Sequence, residues 1–243
     1  MSAARTARER ARTELVGAIK AEAARQLALV GAPALSLRAV ARELGLASSA
    51  LYRYFPSRDA LLTALIVDAF DAVGAAAERA DAAALAAGAD PGHRWLAVCR
   101  AVRSWAVHHP HSYALVYGSP VPGYAAPQDT VAPAMRTSRV MARILESAAA
   151  DGSLRVPVPD RRLARRLVTR DVLDVLERPL PEQYSDALER SLTLLSGLFG
   201  AISQQLFGHV RGAIEDDVAW FDFAVAVAAE GVGLVVPVQA DCS

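Results

Sequence analysis

Apolar residues recur along most of this chain at the three- and four-residue spacing of helices with one buried face, and glycine and proline mark the gaps. Leu15, Ile19, Leu27 and Val30 form one such stripe, which predicts a helix from residue 13 to its stop at Gly31 and Pro33. Val40, Ala41 and Leu44 predict a short second helix capped by Ser36, and the small Ala41 lets another helix cross it closely. Gly45 supplies the turn, because a glycine takes the left-handed conformation that ends one helix and redirects the chain at once. A third helix, SSALYRYF, starts at Ser48 or Ser49 and turns Leu51 and Phe55 inward. Residues 35–62, LSLRAVARELGLASSALYRYFPSRDALL, thus read as a helix-turn-helix.

Pro56 and the cap Ser57 then open a long helix carrying Leu61, Leu62, Leu65, Ile66, Phe70 and Val73 towards Ala87, a candidate connector to whatever follows. Residues 92–109 resume a helix with Trp95, Val98, Val102 and Trp105, and residues 119–127 must be a loop, since four of the prolines and glycines lie there. Further helices are predicted over 127–150, through Met135, Val140, Met141, Ile144 and Leu145, and around 163–176. Two heptad-like seams close the chain. One runs through Leu188, Leu192, Leu195, Phe199, Ile202 and Leu206, the other through Val218, Phe221, Val225, Ala228, Val232 and Val235. Either they face the protein's own core, or two helices from each of two subunits meet; the apolar and small residues beside the stripes favour the dimer.

Composition adds an all-α expectation: 243 residues, 53% hydrophobic but only 6% aromatic, with alanine dominant. Lys+Arg and Asp+Glu both number 26, so the whole molecule presents no field for polyanions. The distribution differs: residues 1–60 hold ten basic side chains against five acidic, as expected where one end touches nucleic acid. Residues 1–12 contain four arginines without apolar periodicity and read as a flexible basic arm, suited to phosphates or a minor groove and equally to a solvated tail. Two cysteines make no disulfide framework, the N-terminal segment lacks the apolar run of a secretory signal, and a cytoplasmic protein without membrane attachment is expected.

In the third helix Ser49, Ala50, Tyr52, Arg53 and Tyr54 are left on or near the exposed side, and with Ser48 at the helix start they are the candidates for DNA contact, since hydroxyls, a methyl and tyrosines beside arginines suit a major groove. Ala41, Gly45 and the run LYRYFPSRDALL resemble the DNA-binding domain of TetR-family transcriptional regulators. A second resemblance, to one branch of TetR-like C-terminal domains, rests on W-x3-HP at Trp105 to Pro110, SPVPGY from Ser119 to Tyr124, and LFGH from Leu206, with Gln205 standing where a glutamate is expected. These resemblances imply an all-α homodimeric regulator, with a helix-turn-helix domain over 13–60 and a C-terminal ligand-binding and dimerisation domain over 61–240. The implied partners are a pseudo-palindromic operator duplex and a small-molecule effector that releases it; a constitutive DNA-binding protein whose second domain only dimerises is the alternative.

Arg38 matches a family position that reaches a base edge, while Tyr52, Tyr54 and Arg58 fit phosphate anchoring; for either tyrosine a half-buried core residue is the competing reading. Trp105, His109, Tyr113, Tyr117, Met141 and Phe199 are candidates for an effector pocket, an apolar set with a few polar tips. Leu188, Leu192, Leu195, Phe199, Ile202, Val218, Phe221 and Val225 are candidates for the dimer interface. No catalytic residues, metal ligands or cofactor are assigned: there is no phosphate loop, nucleophile elbow or HExxH spacing, and Pro110 separates His109 from His111.

Overall fold

In a computed structural model that describes residues 3–155, 167–169 and 175–238, the chain is helical throughout, with no strand among the described residues. It forms two compact units. The first comprises residues up to Phe70 together with His111–Val131, and the second Asp71–Pro110 with the rest. Residues 61–70 and 111–131, expected in the C-terminal domain, therefore pack with the N-terminal helices. The helix expected around residues 163–176 lies mostly outside the described residues.

Three helices build the first unit's core: α1 (Ala3–Val30), α2 (Leu37–Glu43) and α3 (Ser48–Tyr52), joined by the opening turns of α4 (Arg58–Ala86). Ile19, Ala23 and Leu27 of α1 meet Val40 and Ala41 of α2, Leu51 of α3, Phe55, and Leu61, Leu62 and Leu65 of α4. Most of these are fully buried, and each buried large aliphatic side chain stabilises the unit by roughly 1.5–3 kcal/mol. Residues 6–12 continue α1 as exposed helix instead of forming a flexible arm. Alanine and arginine are strong helix formers, so propensity extends the helix where apolar periodicity gives no signal.

The N-cap of α2 is Ser36, whose Oγ accepts from the Ala39 amide. Gly45 ends this helix at φ 64°, with the Leu46 amide donating back to the Ala41 carbonyl at 2.8 Å and the Gly45 amide to Arg42 at 3.1 Å. That paired closure satisfies the last carbonyls and needs the left-handed residue that glycine provides. Ala47, not a serine, occupies the N-cap of α3, so the Ser48 hydroxyl is left for other partners. Ser57 caps α4 through the Ala60 amide at 3.1 Å. α6 (Pro110–Tyr117) and the following loop complete the unit: Tyr124 shares a 2.9 Å hydrogen bond with Thr63 of α4, and Tyr117 meets Phe70 edge to face.

The second unit holds the remainder of α4, α5 (Pro91–His108), the short α7 (Val131–Ala134) from Ala132 on, α8 (Arg136–Ala150), α9 (Ala187–Leu206) and α10 (Asp217–Glu230). The single helix expected over 127–150 is split into a 3-10 turn at Gln128–Thr130, α7 and α8; Pro133, which has no amide hydrogen, sits in the middle piece. Arg136 of α8 lies across α4, donating to Asp71 at 2.8 Å and Glu78 at 2.6 Å. It passes over Gly74, where a Cβ would stand 2.6 Å from the Arg136 Cβ. Those carboxylates push the Arg136 pKa up, Glu78 first and then Asp71. α4 is long and apolar enough to cross a membrane by length and composition, yet 44% of that window is buried within the fold.

α9 and α10 pack most extensively on each other and also on α5. Gly197 permits the close approach, since a Cβ there would stand 2.8 Å from the Ala228 Cβ. The expected second seam overruns its helix: α10 ends at Glu230, and Val232 and Val235 belong to the segment after it. That segment packs on α5, where a Cβ on Gly92 would collide with the Val235 carbonyl. At the far end of α9, Gln205 accepts a 2.7 Å hydrogen bond from Arg103 of α5 and donates one to the Asp217 carbonyl of α10.

Candidate nucleic-acid interface

The third helix is too short to be stable alone, so its exposed face is held in place by what lies behind it. Leu51 is fully buried and Phe55 nearly so, which anchors one side of α3 on α1 and α2. The opposite side presents Ser48, Ser49 and Tyr52 to solvent, with Ala50 half-buried between them. Arg38, near the start of α2, is also exposed. Hydroxyls, a methyl, a tyrosine and a guanidinium thus share one unit with a net basic sequence.

Two expected contacts have other duties. Tyr54 lies past the end of α3, half-buried against the core, which is the competing reading of that residue. Arg12 of α1 places its guanidinium 5.9 Å from the Tyr54 ring centroid. Arg58 is half-buried and donates to the Ala32 carbonyl at 2.7 Å, so its side chain ties the start of α4 to the α1–α2 connection instead of standing free for a phosphate. Only the positions of the apolar residues were legible at this point; a hydrogen bond to a main-chain carbonyl 26 residues away leaves no mark on periodicity.

The six residues considered for an effector do not all fall in one unit. Tyr113 and Tyr117 belong to the first, with ring centroids 5.1 Å apart. Trp105, His109, Met141 and Phe199 belong to the second. Trp105 stacks on His109 at 5.8 Å, and the His109 Nδ1 is 2.9 Å from the Trp105 carbonyl. His108 makes the equivalent contact with the Ser104 carbonyl at 2.7 Å, so both rings are committed to their own helix.

Of the expected interface residues, Leu188, Leu195, Ile202, Phe221 and Val225 are buried inside the second unit and have no surface to offer another copy. Leu188 packs with Ala142 of α8 and with Val175, and at all five positions the seams face the protein's own core. Leu192 and Val218 remain exposed, and Phe199 is half-buried. Beside them stand Phe223, 60% exposed, and Val227, 49% exposed, which the spacing rule passed over. Three- and four-residue spacing marks an amphipathic helix without saying which protein covers which face.

A short helix projecting polar and aromatic groups from a three-helix support, with a basic excess around it, defines a helix-turn-helix DNA-binding protein. Residues 19–65 match the family described as bacterial regulatory proteins, tetR family, and residues 95–228 the tetracyclin repressor-like C-terminal domain. The chain is 39% identical over 209 residues to the HTH-type transcriptional regulator Rv1816 of Mycobacterium tuberculosis, covering 83% of this chain and 84% of that one. The crystal structure of the regulatory protein SCO4313 superposes with a TM-score of 0.70 at 34% identity, over 91% of this chain and 98% of that one. A tetR-family regulatory protein from Rhodococcus RHA1, at 18% identity and TM-score 0.58, covers 90% of this chain and 97% of its own and shares the fold. The chain belongs to the TetR family and is a DNA-binding transcriptional regulator.

Proposed function

We propose that the protein is a cytoplasmic repressor that binds a pseudo-palindromic operator as a homodimer and is released by a small-molecule effector. The observation that carries the DNA-reading part is the exposed face of α3, where Ser48, Ser49, Ala50 and Tyr52 stand over the buried Leu51, with Arg38 on the preceding helix. Arg38 would read a base edge, the α3 residues would meet bases and phosphates, and Tyr54 would contribute its partly exposed edge. Fluorescence polarisation on the promoter beside its own gene, titrated with salt, tests this. Tight, salt-dependent binding to that duplex over unrelated ones supports it, and equal binding to every duplex refutes it.

Dimerisation is supported by an apolar and small-residue face on the outside of α9 and α10. Leu192, Ser196 and Gly200 repeat every four residues on one helix, and Ala219, Phe223 and Val227 on the other, all exposed. Such a face stays unsatisfied in a lone chain. Phe223→Glu should shift the sedimentation coefficient to that of a monomer, whereas an unchanged coefficient would place the interface elsewhere. For the effector, Trp105, His109, Met141 and Phe199 are the candidate aromatic and polar groups within the second unit, and Tyr113 and Tyr117 are candidates within the first. A metabolite that raises the melting temperature and weakens operator binding in the same concentration range would identify it.

A further inference from the structure

We propose that the first turns of α1 and the end of α3 form a phosphate clamp separate from the recognition face, in which Arg8, Arg12 and Arg53 hold a backbone phosphodiester of the bound duplex. This rests on the reading that the chain binds DNA. Arg8, Ala11, Arg12 and Leu15 repeat at three and four residues and so share one face of α1. Together with Arg53 and Tyr54 they line an open groove of about 440 Å³ in the first unit. All three guanidiniums are exposed, and among the described residues none of them forms an ion pair.

Three unpaired cations in one concavity repel one another, and an arriving anion relieves that repulsion. A guanidinium presents a planar fork of donors that matches two phosphate oxygens, which a lysine cannot do. Position favours DNA as the source of the anion. Arg53 directly follows Tyr52, the last residue of α3, so the groove adjoins the face that reads the duplex. Tyr54 serves the groove as its floor: its ring carries the Arg12 guanidinium by a cation–π contact. The acidic neighbours on α1, Glu9 and Glu14, do not line it. Helical continuity from Ala3 gives Arg8 and Arg12 fixed places, which a flexible arm would not.

The test compares the full-length protein with two variants, Arg8→Gln/Arg12→Gln/Arg53→Gln and the corresponding triple lysine substitution, in polarisation assays on operator and on random duplex across a salt series. One phosphate released per protomer gives, for a dimer, a log–log salt slope shallower by about 1.8 in the glutamine variant. Between 50 and 200 mM salt the wild type would then lose about 12-fold more affinity than that variant, equally on both duplexes. The lysine variant keeps the charge and should retain the slope, with a lower affinity from loss of the bidentate fork. An unchanged slope in a glutamine variant that melts like the wild type overturns the clamp and leaves DNA reading intact. A wild type that binds no duplex overturns both. If the glutamine variant fails to fold, the lysine variant decides: a slope lowered to that of a protein with fewer phosphate contacts overturns the clamp, and a retained slope with weakened binding to both duplexes supports it. Inorganic phosphate at constant ionic strength, if it raises the melting temperature of the wild type alone while salt slopes stay equal, assigns the groove to a free anion and overturns it too.

Discussion

Asp81 and Arg94 form an ion pair closed off from water at both ends. Asp81 is 5% exposed and Arg94 4%, and their facing atoms are 2.8 Å apart, with Arg143 a more distant 4.0 Å from the same carboxylate. The pair joins α4 to α5 within the second unit. Two unit charges about 4 Å apart attract by about 4 kcal/mol at an effective dielectric of about 20, and desolvation offsets much of this. Removing one partner leaves the loss without the compensation, so Asp81→Ala should cost about 3–5 kcal/mol. With a urea slope of about 2 kcal/mol per molar, the unfolding midpoint would fall by roughly 2 M. Asp81→Leu with Arg94→Met replaces the pair by apolar groups and should return stability to within about 1 kcal/mol of the wild type. Urea unfolding followed by circular dichroism measures these proteins together with the single variants Asp81→Leu and Arg94→Met. A loss below about 1 kcal/mol for Asp81→Ala, or a double variant as unstable as the sum of its singles, would refute the reasoning.

Gly45→Ala should cost about 1–2 kcal/mol from the left-handed backbone alone, since no atom stands within 4 Å of the added carbon, and a thermal melt reads it. Gly74→Leu should cost about 1–3 kcal/mol, because the new side chain occupies the space of Arg136, and the same melt performed on Gly74→Leu/Arg136→Ala should show part of that loss recovered. The hydrogen bond from Arg136 holds the Glu78 carboxyl below its ordinary 4.5, so the stability it contributes is complete above pH 4.5 and disappears as pH falls through the lower folded value. Unfolding free energies measured against pH should therefore fall less steeply below pH 4.5 in Glu78→Gln than in the wild type.

The helix-turn-helix was legible because its signals are local: a cap at Ser36, a glycine at the turn and Leu51 and Phe55 four residues apart. Features set by contacts distant in sequence were not. The extent of α1 was hidden because arginines and alanines carry helix propensity but no stripe, and that hid the groove at Arg8 and Arg12 as well. The seam residues illustrate a different limit. Ile202 and Phe221 are apolar at helical spacing whether covered by α5 or by a second copy, and only the packing of α9 on α10 assigns them to the interior. Phe223 and Val227 were passed over because they lie off the longest regular run, yet they are left uncovered, as Leu192 and Val218 on the seams are.

The bridge at Gln205 has a consequence for acidity. An amide offers an acceptor to Arg103 and a donor to the Asp217 carbonyl at once, and its two ends cannot be exchanged without losing both bonds. A carboxylate in its place could serve the arginine but would face the carbonyl with a lone pair, and could serve both only after taking up a proton. The amide link between the three helices therefore has no proton of its own to gain, and sensitivity of this corner to pH is left to the neighbouring cap, where the Ala219 and Val218 amides and, more weakly, Arg103 hold the Asp216 carboxyl below its ordinary range.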